Sequence, residues 1–175
     1  MSEALNVVKE VKGDVLFLRL KGVITEDSRL EQLTTEGKKN IVIDLDQVTR
    51  INSYGIRQWI NTLKATFADA ECLVFTKCRP VIVEQFNMIS NFGGGGLVYS
   101  FYLPFVSGSS GDEHMELFEL KSGEVPPTLE KIPELVLGQM KNKSDFEFND
   151  IEDEYFSFLE SQRSKKIPQV ILSQV

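Results

Sequence analysis

The residues able to do chemistry in this chain are few and scattered. Its two cysteines, Cys72 and Cys78, bracket the β-rich run Leu-Val-Phe-Thr-Lys. At the ~3.3 Å rise of a strand, their Cα atoms stand roughly 20 Å apart, beyond disulfide reach. The pair reads as reduced, partly buried thiols. Two thiols and the single His114 are too few ligands for a zinc site. His114 follows Ser109-Ser110-Gly111-Asp112-Glu113, an exposed loop by composition, and no nucleophile and base are spaced for it to serve. Gly93 to Gly96 could cradle a phosphate, but a strand follows it and no Lys-Ser/Thr opens a helix, so it reads as a connector. The run DFEFNDIEDE, residues 145–154, is rich in carboxylates without the spacing of a calcium loop, and reads as a solvated acidic face. The expectation is a protein that is not an enzyme and carries no catalytic residue, cofactor or metal.

One constellation remains. Asn52-Ser53-Tyr54-Gly55 stands directly before an apolar stripe of helical period. Ser or Asn in that place is the preferred N-cap and stabilises a helix by about 1 kcal/mol. A phosphoryl group on Ser53 would bring about two negative charges to a helix N-terminus, where the dipole and free N–H groups favour them. Capping without phosphorylation and a regulated switch both fit the residues.

The elements that must hold this corner follow from periodicity. Leu5 to Val11 and Asp14 to Lys21 form a hairpin, and Asp27 or Ser28 caps a short helix carrying Leu30 and Leu33. Lys39 to Leu45 is apolar at consecutive positions, which suits a central strand covered on both faces. Ile56, Trp59, Ile60, Leu63 and Phe67 share one helical face from Ser53 onward. Glu71 to Thr76 returns to strand, Pro80 opens a helix carrying Ile82, Phe86 and Ile89, and Leu97 to Leu103 is a last strand. That order predicts an α/β fold, a mixed and partly parallel sheet of about five strands with helices packed against it.

Twenty-six acidic against nineteen basic side chains give a net charge of −7, which repels phosphate backbones and anionic lipid. Neither nucleic acid nor a membrane is an expected partner. The opening MSEALNVVKE has no secretory pattern and no apolar run reaches the ~20 residues of a membrane span, so a cytoplasmic location is expected.

Three segments together resemble the STAS family, best known from bacterial anti-sigma-factor antagonists. They are the corner from Ile43-Asp44-Leu45 to Ile51-Asn52-Ser53-Tyr54-Gly55-Ile56, the opening strand with Lys21-Gly22-Val23-Ile24, and Arg79 to Met88, RPVIVEQFNM. The resemblance spans Leu5 to Pro104. It implies a signalling module that binds a protein partner, an anti-sigma factor or serine-kinase-like regulator, with Ser53 as the phosphate acceptor. Asn52 stands where the family has Asp, and Tyr54 where it has a small residue. The implied contact surface is Asn52, Ser53, Tyr54, Gly55 and Arg57. A constitutive scaffold without phosphorylation and a nucleotide-sensing domain are the alternative functions.

Beyond Pro104 the composition shifts to Gly, Ser, Pro and acid, which predicts a STAS-like domain over 1–104, a small β-containing module over 105–160 and an exposed tail over 161–175. Ser107-Gly108-Ser109-Ser110-Gly111 and Leu137-Gly138-Gln139-Met140 are similar in spacing to the two knuckles of a zinc ribbon, with no cysteine at any ligand position. Packing must then replace the metal, with Phe105, Leu117, Phe146, Tyr155 and Phe158 as the expected contributors.

Overall fold

The computed structural model describes residues 4–141 and 145–175. Strands β1 (Asn6–Lys12) and β2 (Val15–Ile24) pair antiparallel through a turn in which Gly13 takes φ 56°, a left-handed value that costs glycine little. Strands β3 (Asn40–Ile51), β4 (Cys72–Thr76) and β5 (Leu97–Val98) then add in parallel, so the five-stranded sheet runs in sequence order. Helix α1 (Ser53–Thr66) makes the β3-to-β4 crossover and buries Trp59 and Leu63, while the Trp59 indole N–H donates to the Phe92 carbonyl at 3.1 Å. Helix α2 (Pro80–Met88) makes the next crossover, with proline in its first turn and Ile82 and Val83 buried. The fold is thus the α/β class expected.

Several boundaries differ from expectation, each for a local reason. Strand β3 continues past Leu45 to Ile51, pairing with the end of β2 through two register shifts. These shifts let Leu45, Val48 and Ile51 all be buried at a three-residue spacing, which hides the strand from a search for strict alternation. The short helix is a single 3-10 turn, Leu30–Gln32, with no side-chain cap. Ser28 instead accepts from the Thr25 N–H and donates to the Val23 carbonyl. Leu30 and Leu33 are buried.

The expected strand Leu97 to Leu103 is two strands in two sheets. The chain bends at Tyr99, whose N–H donates to the Phe75 carbonyl and whose carbonyl accepts from the Leu120 N–H. β5 closes the first sheet, and β6 (Ser100–Ser107) is the middle of a three-stranded antiparallel sheet with β7 (Glu113–Glu119) and β8 (Phe146–Phe148). The boundary expected at 104/105 therefore falls inside β6, and one buried cluster runs without interruption from Leu5 to Ile171.

In the C-terminal region Phe105, Tyr155 and Phe158 are buried as expected, whereas Leu117 and Phe146 are only half-buried. Phe101, Leu120, Ile132 and Phe156, which carry no obvious periodic signal, are also in the core. Leu137 to Gln139 lie within helix α3 (Ile132–Gln139), so no knuckle turn forms there. The Ser107 to Gly111 turn is closed by Asp145, whose Oδ2 accepts from the Ser107 hydroxyl at 2.6 Å. His114 lies in β7 rather than a loop, half-buried, with Nε2 2.6 Å from Glu116 Oε1. The acidic run passes through β8 and ends in helix α4 (Glu152–Tyr155), and helix α5 (Ser157–Glu160) carries the rest of the aromatic cluster. The expected exposed tail returns to the body: Gln162, Ile167 and Ile171 are buried, the last in helix α6 (Gln169–Leu172).

Candidate functional site

β2 and β3 end side by side at Ile24 and Ile51, and the Asn52 N–H donates to the Ile24 carbonyl at 3.1 Å. The chain turns there into α1. Asn52 is the N-cap, its side-chain oxygen accepting from the Gly55 N–H at 2.8 Å, and Ser53 is the first helical residue. The capping role expected of Ser53 falls instead to Asn52, one residue earlier, which leaves the serine hydroxyl exposed with no capping bond. Gly55 is buried against the end of β2, where an added Cβ would lie 2.1 Å from the Ile24 carbonyl oxygen. Only glycine lets the helix start this close to the sheet. Tyr54 is 67% exposed, and Arg57 is exposed one turn further along.

Glu26, which the sequence did not single out, completes the corner. Its carboxylate accepts from the Asn52 amide at 2.7 Å, and its carbonyl accepts from Gln58 at 3.4 Å. The Asn52 hydrogen bond, aided by the residue's own backbone and the Arg50 charge, holds the Glu26 carboxyl below its ordinary range. Twenty-six residues separate Glu26 from Asn52, so no local pattern could have joined them. The corner presents a free hydroxyl, a phenol, a guanidinium and an ionised carboxylate on a rigid helix start. No histidine, cysteine or lysine stands among Asn52 to Arg57 to act as base or nucleophile.

A second polar cluster lies where β3 and β4 meet β6. Lys77 Nζ is 3.1 Å from Asp44 Oδ2, the Arg79 guanidinium is 3.6 Å from Asp46 and 5.4 Å above the Tyr102 ring, and the Tyr102 hydroxyl donates to Asp46 at 2.6 Å. Burial, then the hydrogen bond to Asp46, pushes the Tyr102 phenol up to about 12. Lys77 adopts φ 52°, a left-handed conformation costing roughly 1 kcal/mol, held by its N–H bond to Ser100 Oγ at 2.8 Å. Each carboxylate meets a cation, and the Tyr102–Asp46 bond ties β6 of one sheet to β3 of the other. Cys78 is fully buried and Cys72 half-buried, and desolvation raises both thiols, so neither is a ready nucleophile.

Among the described residues no three His, Cys, Asp or Glu side chains gather to hold a metal ion, and no helix is long and apolar enough to cross a membrane. No protein-family model matches the chain, and no curated protein matches it in sequence.

Proposed function

We propose that this chain is a non-enzymatic signalling module of the anti-sigma-factor-antagonist kind, which binds a regulatory protein through Asn52, Ser53, Tyr54, Gly55 and Arg57 and is switched by phosphorylation of Ser53. The observation that carries the proposal is the division of labour at the helix start: Asn52 caps α1, so the exposed Ser53 hydroxyl is spare. A serine with no structural duty at the first position of a helix is accessible to a kinase. Phosphate there gains from the helix N-terminus while adding charge beside the Glu26 carboxylate that Asn52 already holds. A partner docked over Tyr54 and Arg57 meets a changed potential without any change of fold.

The test is intact-mass analysis after incubation with host lysate and ATP, followed by partner pull-down with Ser53→Asp and Ser53→Ala. A single phosphate mapped to Ser53, with binding lost in Ser53→Asp and kept in Ser53→Ala, is the expected result. Indifference of partner binding to both substitutions sinks the assignment of this surface.

A further inference from the structure

At the opposite end of α1 from Ser53 a groove of about 950 Å³ opens between the last turns of that helix, the start of β4, the glycine run and the C-terminal segment. Its inner wall carries Leu63, Phe67, Leu73 and Leu97, core side chains whose edges face the groove, together with the half-buried Ile60 and Cys72. Its rim is positive. Lys64 from α1 and Lys165 from the C-terminal segment line it, both exposed and neither in a salt bridge among the described residues. The two other charged rim positions are matched elsewhere, Lys166 with Glu124 at 2.8 Å and Glu71 with Lys39 at 3.2 Å. A chain of net charge −7 thus places two unmatched lysines beside apolar surface that solvent reaches.

From this combination we infer that the groove binds a linear aliphatic carboxylate, its chain laid on Ile60, Ala68 and Cys72 and the exposed edges of Phe67 and Leu73, and its head group between Lys64 and Lys165. Apolar lining supplies most of the affinity in such a site, and a few charges fix orientation. One negative head satisfies two lysines that otherwise face only water, whereas a cationic or bare hydrocarbon ligand leaves them unmatched. The site is independent of the Ser53 proposal. Because Lys165 and Pro168 belong to the segment that also carries the buried Ile167 and Ile171, an occupant bridges α1 to the C-terminal segment.

Decanoate, kept below its micelle concentration, is the probe, and Cys72 is a built-in reporter on the groove wall. Alkylation of the full-length chain by a maleimide is followed by intact mass; Cys78, fully buried, stays silent under folded conditions. We expect decanoate to slow Cys72 alkylation several-fold and saturably and to raise Tm, while acetate does neither and decan-1-ol acts only weakly. Lys64→Glu with Lys165→Glu should weaken the decanoate effect, and Ala68→Trp, at an exposed position on the groove, should abolish it with the unliganded Tm unchanged. A Tm rise without protection of Cys72, equal protection by acetate, or protection that survives both variants overturns the proposal.

Discussion

The five-stranded sheet and the region beyond Tyr99 bury apolar surface by opposite means. In the sheet, backbone pairs with backbone over long stretches, and a 14-residue helix lays a single stripe on one face. Beyond Tyr99 only β6 and β7 pair over a comparable length, and the elements that follow include ones too short to satisfy themselves: β8 has three residues, and α4 and α5 have four each. There, polar side chains reach across to orphaned backbone groups. Asn87 on α2 donates to the Tyr155 carbonyl at 3.0 Å, and its oxygen accepts from the Phe158 N–H and the Ser157 hydroxyl, both at 2.9 Å. Gln162 both accepts from the Val98 N–H, at 2.8 Å, and donates to the Val98 carbonyl, at 2.7 Å, pairing with β5 as a neighbouring strand would. Aromatic rings fill the space between, with Phe101 within 6.0 Å of Phe118, Phe156 and Phe158. The lesson is that the second region is a dependent layer whose stability is borrowed from the first.

If the layer is dependent, core deletions on either side must melt the whole chain. Trp59→Ala in the first region and Phe156→Ala in the second are each expected to cost about 3–5 kcal/mol, because both rings are fully buried. Far-ultraviolet circular dichroism should show one shifted transition for both. In Phe156→Ala, fluorescence of Trp59, the only tryptophan, should move in step. A second transition that leaves Trp59 unmoved would separate the regions and end the comparison.

The seam itself is tested next. Gln162→Leu keeps bulk but strips two hydrogen bonds from buried main chain, at about 1–3 kcal/mol for each group left unpaired. A total near 3 kcal/mol in urea unfolding, with faster hydrogen exchange at the Val98 amide, is expected. Exchange that is unchanged at Val98 would mean that the edge is protected by something other than this side chain.

How far the sequence could be read follows the same division. Periodicity marked β1, β2, β4, α1 and α2 because each repeats its pattern over several turns or pleats. Ser53 at the start of α1 was visible for the same reason, being local to one helix start, whereas Gly55 entered only through the family resemblance. The second half of β3 was hidden by its register shifts, and the bend at Tyr99 left no mark in an unbroken β-rich run. Glu26, Asn87 and Gln162 act over 26 to 71 residues of sequence, and nothing local encodes such partners. Ile167 and Leu172 looked like an apolar patch on a loose tail because the surface they cover, around Gly123, lies more than forty positions earlier.

At the candidate site the effect is smaller and discriminates between neighbours. Asn52→Ala removes the cap of α1 and its tie to Glu26, for an expected loss of about 1 kcal/mol. Ser53→Ala should be nearly neutral, since the hydroxyl caps nothing. Equal losses in the two variants, measured by thermal unfolding, would return the capping role to Ser53 and remove the spare hydroxyl on which the proposed switch depends.

The smallest effect expected is the pH response of the Tyr102 seam. Tyr102 joins β6 of the second region to Asp46 on β3, and its phenol titrates at about 12 when folded against 10.0 ordinarily. The folded protein therefore holds this proton more tightly than the unfolded chain does. The resulting stabilisation is complete below pH 10 and is lost as pH rises towards about 12, because the unfolded state gives up its proton first. Tyr102→Phe should flatten part of that alkaline decline in urea midpoints. It cannot flatten all of it, because burial raises the phenols of Tyr155 and Tyr99 and both thiols too. A decline unchanged in Tyr102→Phe would assign the alkaline response to the other groups that burial raises, Tyr155, Tyr99 and the two thiols, and would mean that the bond to Asp46 contributes nothing to it.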